Sequence, residues 1–280
     1  MKVGFVLSGG MAKGAYQVGA LKALSNYIPR EDIVCISCAS IGTLNGYSYA
    51  MNKLDEAENM WKEICIEDNR LFISQVLRSC ILQEDIKNLY SPKDKFNHDF
   101  FVSLLDSTHM KLNYKNMAKE DPGKYASILR ASVAMPFYNP SVKINGNTYY
   151  DGAMIDNIPV YPLIRRNLDY IICIYFDTYT YRFESKAFDS KVIQITFPNE
   201  NFIKQSLIFT KDNIDHMIEK GYDHTNFLLN EVMGNDHTNL ERIKKGITHK
   251  NYDNTIRITG DVLTTNFNKF AKKLVRKDIS

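Results

Sequence analysis

The chain has 280 residues, of which 44% are hydrophobic, and it carries a formal net charge of +3. This is enough sequence for one large core, since single α/β domains commonly reach roughly 200–250 residues. Positive and negative charges are mixed along the chain, which argues against a dedicated nucleic-acid-binding protein with a concentrated basic face.

The first predicted elements alternate between strand and helix. Val3–Leu7 is predicted to form a buried strand, a glycine loop follows, and the next helix contains Val18, Leu21 and Leu24. A second strand is predicted over 33–37, ending near Ser40, and further helices over 43–51 and 54–64. Strands that alternate with helices indicate a parallel sheet with helices packed on it.

The remainder of the chain is less regular at first and then alternates again. Residues 68–124 show helical patches over 71–82 and a polar loop around Ser91 to Asp94. Strands are predicted over 170–176 and 192–197, and helical periodicity over 202–230. A last strand is predicted over 255–258 and a terminal helix over 267–276.

The cysteine pattern and the apolar runs favour an intracellular location. The cysteines are five in number, and no pair shows the repeated CxxC spacing of a zinc site, which fits a reducing cytosol. The first apolar run is too short for a secretion signal. No run reaches the roughly 18 apolar residues of a membrane span. We therefore expect a cytoplasmic protein, with contact at a membrane surface as an open option.

The first stretch that can carry chemistry is SGGMAKG, residues 8–14, between a strand and a helix. Backbone N–H groups at such a turn can hold an anion, either a phosphate or a transient oxyanion. The stretch matches neither the GxxxxGK[ST] nor the GxGxxG pattern, so a nucleotide-binding module is the weaker hypothesis. An ordinary glycine turn is the alternative.

The second stretch is CASIG, residues 38–42, in which Ser40 is a candidate nucleophile. A nucleophile elbow places its serine on a sharp turn between strand and helix, with small residues two positions before and after it. Gly42 meets this demand, whereas Cys38 stands where glycine is usual and adds a sulfur beneath the turn. The alternative is that Ser40 only caps the following helix.

The third stretch is YYDGAMIDNIPV, residues 149–160, with two candidate bases, Asp151 and Asp156. An aspartate directly before a glycine usually marks a turn. All six histidines lie in the irregular middle or the C-terminal half, mostly among polar neighbours. A Ser-His-Asp triad stays open, although no histidine stands in a recognisable setting.

In their order and context, these stretches resemble the patatin-like phospholipase family. The similar parts are the glycine loop followed by AYQ (15–17), the GxSxG-like elbow followed by TLN (43–45), and the Asp-Gly-Ala element. RASVAMP (130–136), NP (139–140), DNIP (156–159) and IEKGY (218–222) also look like the family. The resemblance covers 1–65 and 125–178 well, is thinner over 202–230, and is absent over 68–124 and after 235.

The resemblance implies an α/β, three-layer fold with a central, mostly parallel sheet flanked by helices. It implies one domain over 1–280. A helical lid insertion at about 68–124 and a C-terminal helical extension from about 235 are expected where the resemblance fails.

The resemblance also implies a Ser-Asp dyad, with Ser40 as nucleophile and Asp151 as general base. Asp151 is favoured over Asp156 because only Asp151 has the Asp-Gly-Ala context. Gly9, Gly10 and Met11 would supply the backbone N–H groups of the oxyanion hole. The supporting residues would be Lys13, Gly14, Gly42 and Gly152. Lys13 would set the loop or lie near an anionic head group, and a plain surface lysine is the equal alternative.

The implied activity is that of a serine lipid acyl hydrolase of the phospholipase A or lysophospholipase type. Its substrates would be phospholipids, lysophospholipids or neutral glycerolipids, with no metal, no other cofactor and no nucleic acid. Met11 and Cys38 replace glycines common in the family. They motivate the alternative of a catalytically impaired module that binds lipid or protein.

Two apolar stretches are candidates for membrane contact. One lies over 71–82, and the other is the helix over 267–276, whose apolar face is flanked by lysines and an arginine. Such a pattern is typical of a basic interfacial helix. Docking of either stretch on the domain core is the more common outcome for amphipathic segments.

Overall fold

The computed structural model describes residues 1–64, 71–72, 81–136, 138–177, 180–183, 185–197, 208–252 and 256–258. The strands are β1 (Val3–Leu7), β2 (Ile33–Cys38), β3 (Leu71–Phe72), β4 (Asp99–Asp106), β5 (Lys111–Asn116), β6 (Val142–Ile144), β7 (Asn147–Asp151), β8 (Tyr170–Tyr175), β9 (Tyr181–Phe183), β10 (Val192–Thr196), β11 (Ile208–Phe209) and β12 (Ile256–Ile258). The helices are α1 (Gly14–Leu24), α2 (Ile41–Ala50), α3 (Leu54–Glu63), α4 (Ile81–Leu89), α5 (Tyr125–Ser132), α6 (Tyr161–Ile164), α7 (Lys211–Met233) and α8 (Leu240–Lys250).

Eight strands form the central sheet. Their order is β10-β8-β1-β2-β4-β7-β6, and β5 pairs with β4 beside this path. The strands from β10 to β4 are parallel to one another, whereas β5 and β7 pair antiparallel with β4 and β6 pairs antiparallel with β7. The sheet is therefore mixed but mostly parallel, which confirms the expected fold class.

The sequence of β1 shows how the sheet acquires two covered faces. Val3, Phe5 and Leu7 point into the larger core, which also contains buried residues of the helices α1, α2, α3 and α7. Val6 points to the opposite face, where the smaller core contains Leu163 of α6. Side chains alternate across a strand, so a strand covered on both faces becomes apolar along its whole length.

Helices α1 and α7 are held together by glycines. A Cβ atom built on Gly19 would lie 1.9 Å from the carbonyl oxygen of Ile218, and one built on Gly221 would lie 2.2 Å from that of Tyr16. No side chain fits at either position, so the two helix backbones touch. Helix α7 confirms the predicted helical periodicity, although the helix begins at Lys211 and the short strand β11 precedes it.

The segment expected to be a helical lid contains two strands of the central sheet. β4 lies between β2 and β7, and β5 flanks it, so residues 99–116 are part of the sheet and not of a helical insertion. Leu71–Phe72 is likewise a strand, paired with β11, and not helical. Residues 73–80 lie outside the described residues, and a lid in this region stays a prediction.

The C-terminal interfacial helix expected over 267–276 also lies outside the described residues. Within the part of the chain that is described, no helix combines the length and the apolar character needed to cross a membrane.

Candidate active site

The register of the sheet brings the three sequence stretches to one level. Leu7 pairs with Cys38, and Cys38 pairs with Val102. Two residues further along, Gly9 and Ser40 follow their strands, and β4 reaches Leu104, whose partner on β7 is Asp151. The glycine loop, the elbow and the Asp-Gly-Ala element therefore meet at the same edge of the sheet.

Ser40 occupies a strained turn between β2 and α2. Its φ and ψ angles are 54° and −135°, a conformation that residues with a side chain rarely adopt. The turn is fixed from both sides, because the Ala39 N–H donates to the Leu7 carbonyl at 3.0 Å and the Thr43 N–H donates to the Ser40 carbonyl at 2.8 Å. This is the backbone geometry of a nucleophile elbow, which exposes the serine hydroxyl.

Gly42 allows the elbow to approach the neighbouring strand. A Cβ atom at this position would lie 2.6 Å from the Ser8 carbonyl oxygen and 2.7 Å from that of Leu7. Both contacts are with backbone, which cannot move aside as a side chain would. The expected small residue two positions after Ser40 is thus a steric requirement of the fold.

Cys38, the departure from the usual elbow, is accommodated by a second glycine. Its side chain is fully buried, and a Cβ atom built on Gly46 of α2 would lie 2.6 Å from its sulfur. The sulfur therefore packs against the helix that follows Ser40. Burial raises the pKa of the Cys38 thiol well above its ordinary value, so the group stays neutral.

Asp151 ends β7 beside Ser40 and is almost completely buried. Its Oδ1 accepts the Ala153 N–H at 2.8 Å, and the Ser40 side chain lies close enough to favour the charged form of the carboxyl group. Burial raises the pKa of Asp151 to about 7, although Ser40 and the Ala153 N–H both act in the opposite direction. The structure thus joins the two residues expected to form the dyad.

The second candidate base, Asp156, has a different partner. It is fully buried, and its Oδ2 accepts a hydrogen bond of 2.5 Å from the Tyr114 hydroxyl on β5. Between the two aspartates, Gly152 crosses β4 so closely that a Cβ atom would lie 2.4 Å from Ser103 Oγ. The glycine after Asp151 is therefore needed for close packing.

All six histidines lie among the described residues, and three of them have partners away from Asp151. His109 Nδ1 lies 2.9 Å from Asp106 Oδ2, His224 packs on Phe197, and the ring of His237 packs on Tyr27. The groups that shift the pKa of Asp151 are Ser40 and Ala153 together with burial, and no histidine is among them.

The glycine loop lies directly against the elbow. A Cβ atom built on Gly9 would lie 2.7 Å from the Ser40 Cβ, and one built on Gly10 would lie 2.3 Å from the Phe176 ring. Met11 adopts a φ of 53°, in the left-handed region that favours glycine. The loop that would supply the three oxyanion donors therefore starts beside Ser40, at Gly9, and continues toward Phe176.

Lys13 is buried, so the alternative of a plain surface lysine is wrong. Its side chain is 3% exposed, and Nζ lies 5.4 Å from the centroid of the Phe176 ring. Burial lowers the pKa of Lys13 to about 8, and the charge of Asp177 acts in the opposite direction. The supporting residue Gly14 packs against the Trp61 ring, which lies 2.6 Å from where its Cβ atom would be.

A buried chain of amide hydrogen bonds holds the glycine loop from behind. Gln17 Nε2 donates to the Ser8 carbonyl at 2.7 Å. Asn45 Nδ2 donates to Gln17 Oε1 and to the Gly14 carbonyl, both at 2.9 Å, and the Trp61 Nε1–H donates to Asn45 Oδ1 at 3.0 Å. The family resemblance includes Gln17 and Asn45 without a role for either. A polar residue within an apolar helix is the sequence signal that points to such a buried hydrogen bond.

Asn157 is a further site residue for which no role is predicted from the sequence pattern. Its Nδ2 donates to the Gly9 carbonyl at 3.2 Å, and Ser8 Oγ donates to the same oxygen at 3.0 Å. The DNIP stretch was recognisable, but its contact with the glycine loop depends on chain segments 148 residues apart.

Metal ligands are not assembled in the described part of the chain, where no group of three or more His, Cys, Asp or Glu side chains is placed to hold an ion.

Part of the chain is similar to known proteins. A family model described as patatin-like phospholipase matches residues 5–164. A protein named lysophospholipase NTE1, from Cryptococcus neoformans var. neoformans serotype D, is 28% identical in an alignment of 187 positions that covers 62% of this chain and 11% of the fungal protein. An uncharacterized NTE family protein of Mycobacterium tuberculosis is 23% identical in an alignment of 186 positions that covers 62% of this chain and 48% of the mycobacterial protein. The matches thus cover less than half of either relative.

Two solved structures show a weaker likeness. VipD from Legionella pneumophila has a TM-score of 0.47 and 13% identity, covering 99% of this chain and 74% of VipD. The type III effector protein ExoU has a TM-score of 0.38 and 14% identity, covering 87% of this chain and 53% of ExoU. Both TM-scores are below 0.5.

Proposed function

Because the chain belongs to the patatin-like phospholipase family, we propose that it is a serine hydrolase that cleaves acyl esters of lipids. Ser40 is the nucleophile and Asp151 the general base. The observation that carries this proposal is the position of Ser40, held at a φ of 54°, beside the buried Asp151 carboxyl group, whose pKa is raised to about 7. A base with a pKa near neutral pH combines the correct ionisation with a useful proton affinity.

Acylation begins when the Asp151 carboxylate takes the proton of the Ser40 hydroxyl while Oγ attacks the ester carbonyl carbon. The carbonyl oxygen becomes an oxyanion in the tetrahedral intermediate. When this intermediate collapses, the bond to the alcohol oxygen breaks and the alcohol takes the proton from Asp151. An acyl group then remains on Ser40 Oγ.

Deacylation repeats the same steps with water. Asp151 takes a proton from a water molecule while the water oxygen attacks the acyl carbon. The bond between this carbon and Ser40 Oγ then breaks. The proton passes from Asp151 to Oγ, and the fatty acid leaves. One buried carboxylate therefore serves as base and then as acid in each half of the reaction.

Backbone N–H groups of Gly9, Gly10 and Met11 stabilise the oxyanion in this proposal. The closeness of Gly9 to the Ser40 Cβ supports this role, because the loop starts beside the side chain that attacks the ester. Removing one such donor typically costs about 3–4 kcal/mol of transition-state stabilisation.

The substrate class follows from the family and from the name of the fungal relative, which is a lysophospholipase. Lysophospholipids are therefore the first substrates to test, followed by phospholipids and neutral glycerolipids.

The decisive experiment compares the wild type with Ser40→Ala and with a matched control, Ser25→Ala. Ser25 is exposed at the end of α1, where its hydroxyl donates to the Leu21 carbonyl. Fatty-acid release from a lipid panel and labelling by a fluorophosphonate probe are measured for all three proteins. Ser40→Ala should lose both signals, and Ser25→Ala should keep them. Hydrolysis by Ser40→Ala at the wild-type rate would refute the assignment.

The competing function is an impaired module that binds lipid through the same pocket. The left-handed backbone at Met11, where glycine would be unstrained, is the observation that favours it. A folded wild-type protein that neither hydrolyses any lipid in the panel nor reacts with the probe would support this alternative.

A further inference from the structure

The Gly9 carbonyl oxygen receives two side-chain hydrogen bonds from opposite ends of the family match. Ser8 Oγ donates at 3.0 Å from the end of β1, and Asn157 Nδ2 donates at 3.2 Å from the loop that follows Asp151. Ser8 is fully buried and Asn157 is half-buried. Two donors on one carbonyl hold its direction more firmly than either could alone.

The direction of this carbonyl determines the direction of a neighbouring N–H group. The Gly9 carbonyl and the Gly10 N–H belong to the same peptide group, which is planar and trans, so they point in opposite directions. The residues on both sides of this group are glycines, whose backbone rotates with little steric resistance. The hydrogen bonds to the Gly9 carbonyl are therefore what fixes the Gly10 N–H.

We infer that Ser8 and Asn157 are positioning residues for the oxyanion hole. They hold the Gly9–Gly10 peptide so that the Gly10 N–H faces the developing oxyanion, and neither side chain contacts the ester. This inference rests on the proposed function, in which Gly10 is an oxyanion donor.

Packing around Gly9 supports the same role for Asn157. A Cβ atom on Gly9 would lie 2.5 Å from Asn157 Oδ1 and 2.7 Å from the Ser40 Cβ, so this glycine is clamped between the amide and the elbow. Asn157 lies six residues after Asp151, on the loop that the base begins. The amide therefore links the loop that carries the base to the loop that carries the oxyanion donors.

The test uses Asn157→Asp and Asn157→Ala in the full chain. Asn157→Asp keeps the shape of the side chain but removes the N–H donor. Asn157→Ala removes the donor without adding a charge. We expect kcat for a short-chain ester to fall about tenfold in both variants with KM changed less than about twofold, since a net hydrogen bond is worth roughly one power of ten. A trifluoromethyl ketone, which forms an oxyanion on the serine, should bind more weakly by the same factor. For Asn157→Ala, the pH–rate profile should keep its inflection, because the partners of Asp151 are unchanged.

Ser8→Ala provides a second, independent variant, and it should lower kcat in the same selective way. The double variant with Asn157→Ala should lose more than the product of the two single effects, because each single variant keeps one side-chain hydrogen bond to the Gly9 carbonyl and the double variant keeps neither. The control is Asn26→Ala, which removes an exposed amide that donates to the Tyr222 hydroxyl, and it should behave as wild type.

The outcomes separate this inference from the proposed function. If the wild type is active and both Asn157 variants keep its kcat and its affinity for the ketone, the positioning role is wrong and the proposed function stands. The role would also be overturned if Asn26→Ala lowered kcat, the melting temperature and probe labelling to the same extent as the Asn157 variants do. A wild type without esterase activity would overturn both.

Discussion

The site contains two neighbouring turns in which a residue other than glycine has a positive φ, and the two turns differ in what they pack against. Ser40 follows β2 with a φ of 54°, and Met11 follows β1 with a φ of 53°. Near Ser40, a Cβ atom built on Gly42 would first meet backbone atoms of Leu7 and Ser8. Near Met11, a Cβ atom built on Gly10 would first meet the ring of Phe176. The elbow is therefore fixed against a strand, whereas the loop rests on side chains that can adjust.

The largest effect is expected from removing the partner of the elbow serine. Asp151→Asn keeps the shape of the side chain but cannot take the Ser40 proton. General-base catalysis typically contributes about 10²–10⁴-fold, so kcat should fall by a factor in that range. The measurement is steady-state hydrolysis of a short-chain ester, with Asp156→Asn as the comparison. A greater loss in Asp156→Asn would transfer the role of base to Asp156.

The next effect compares the two turns directly. Gly42→Ala places a Cβ atom about as close to two backbone carbonyls as Gly10→Ala places one to the Phe176 ring. Because backbone cannot move aside, Gly42→Ala should cost about 2–3 kcal/mol in the free energy of unfolding, and Gly10→Ala clearly less. Urea unfolding of both variants measures this difference. Equal costs would mean that the loop is as rigid as the elbow.

Titration of Asp151 should affect activity and stability in opposite directions. Its pKa is raised from 3.8 to about 7 by burial, so the folded state binds this proton more tightly than the unfolded state. The stability that results is fully present below 3.8 and is lost as the pH rises toward 7. Activity should rise over the upper part of the same range, since the base must be ionised.

This dependence can be measured by urea unfolding between pH 4 and 8. Wild-type stability should decrease with pH by on the order of 1 kcal/mol per unit more than that of Asp151→Asn, whose side chain stays neutral. Parallel stability curves for the two proteins would show that Asp151 does not titrate in this range.

Much of this arrangement could be predicted from the sequence because it is local. The glycine loop, the elbow and the Asp-Gly-Ala element are short stretches whose order and small residues mark them. The position of β4 could not be predicted, because the short apolar run at its centre fits a strand or a buried helix equally well. Without β4, nothing in the sequence shows that Asp151 lies level with Ser40.

Long-range packing explains the other features that the sequence did not show. The burial of Lys13 depends on Phe176 and Asp177, which lie beyond the end of β8. The contact of Cys38 with Gly46 depends on how α2 lies across β2. Neither relation has a recognisable sequence pattern, since each depends on how two elements pack in the folded chain.

A moderate effect is expected from the pair formed by Cys38 and Gly46. Gly46→Ala should destabilise the wild type, because the new methyl group would lie 2.6 Å from the Cys38 sulfur. In Cys38→Gly the same change should cost less, since the sulfur is gone, only the flexible end of Leu7 remains within 3 Å, and alanine favours a helix by about 1 kcal/mol over glycine. A double-mutant cycle by urea unfolding should give a coupling of about 1–2 kcal/mol. Additive effects would show that the sulfur packs elsewhere.

The Cys38→Gly variant alone should lose some stability and keep its activity, because a fully buried side chain is removed while Ser40 and Asp151 retain their contacts. The specificity constant for a short-chain ester should be equal to or higher than that of the wild type. A large fall in rate with normal labelling by the fluorophosphonate probe would instead give Cys38 a part in catalysis.

The smallest effect is expected at Met11, in the adjustable turn. Met11→Gly removes a left-handed strain of about 1–2 kcal/mol but adds about 0.5–1 kcal/mol of chain entropy, so stability should change by less than about 1 kcal/mol. Met110, at a φ of 51° in the exposed turn between β4 and β5, is a matched control. Met110→Gly should change stability by a similar amount and leave activity unchanged.

Met11→Gly should raise kcat slightly, because a relaxed loop presents its N–H groups with less strain. Met11→Val should lower both quantities, since a β-branched residue fits this conformation poorly. If Met11→Val matched the wild type, the backbone at Met11 would not be held in the left-handed region, and the two turns would differ more than their angles indicate.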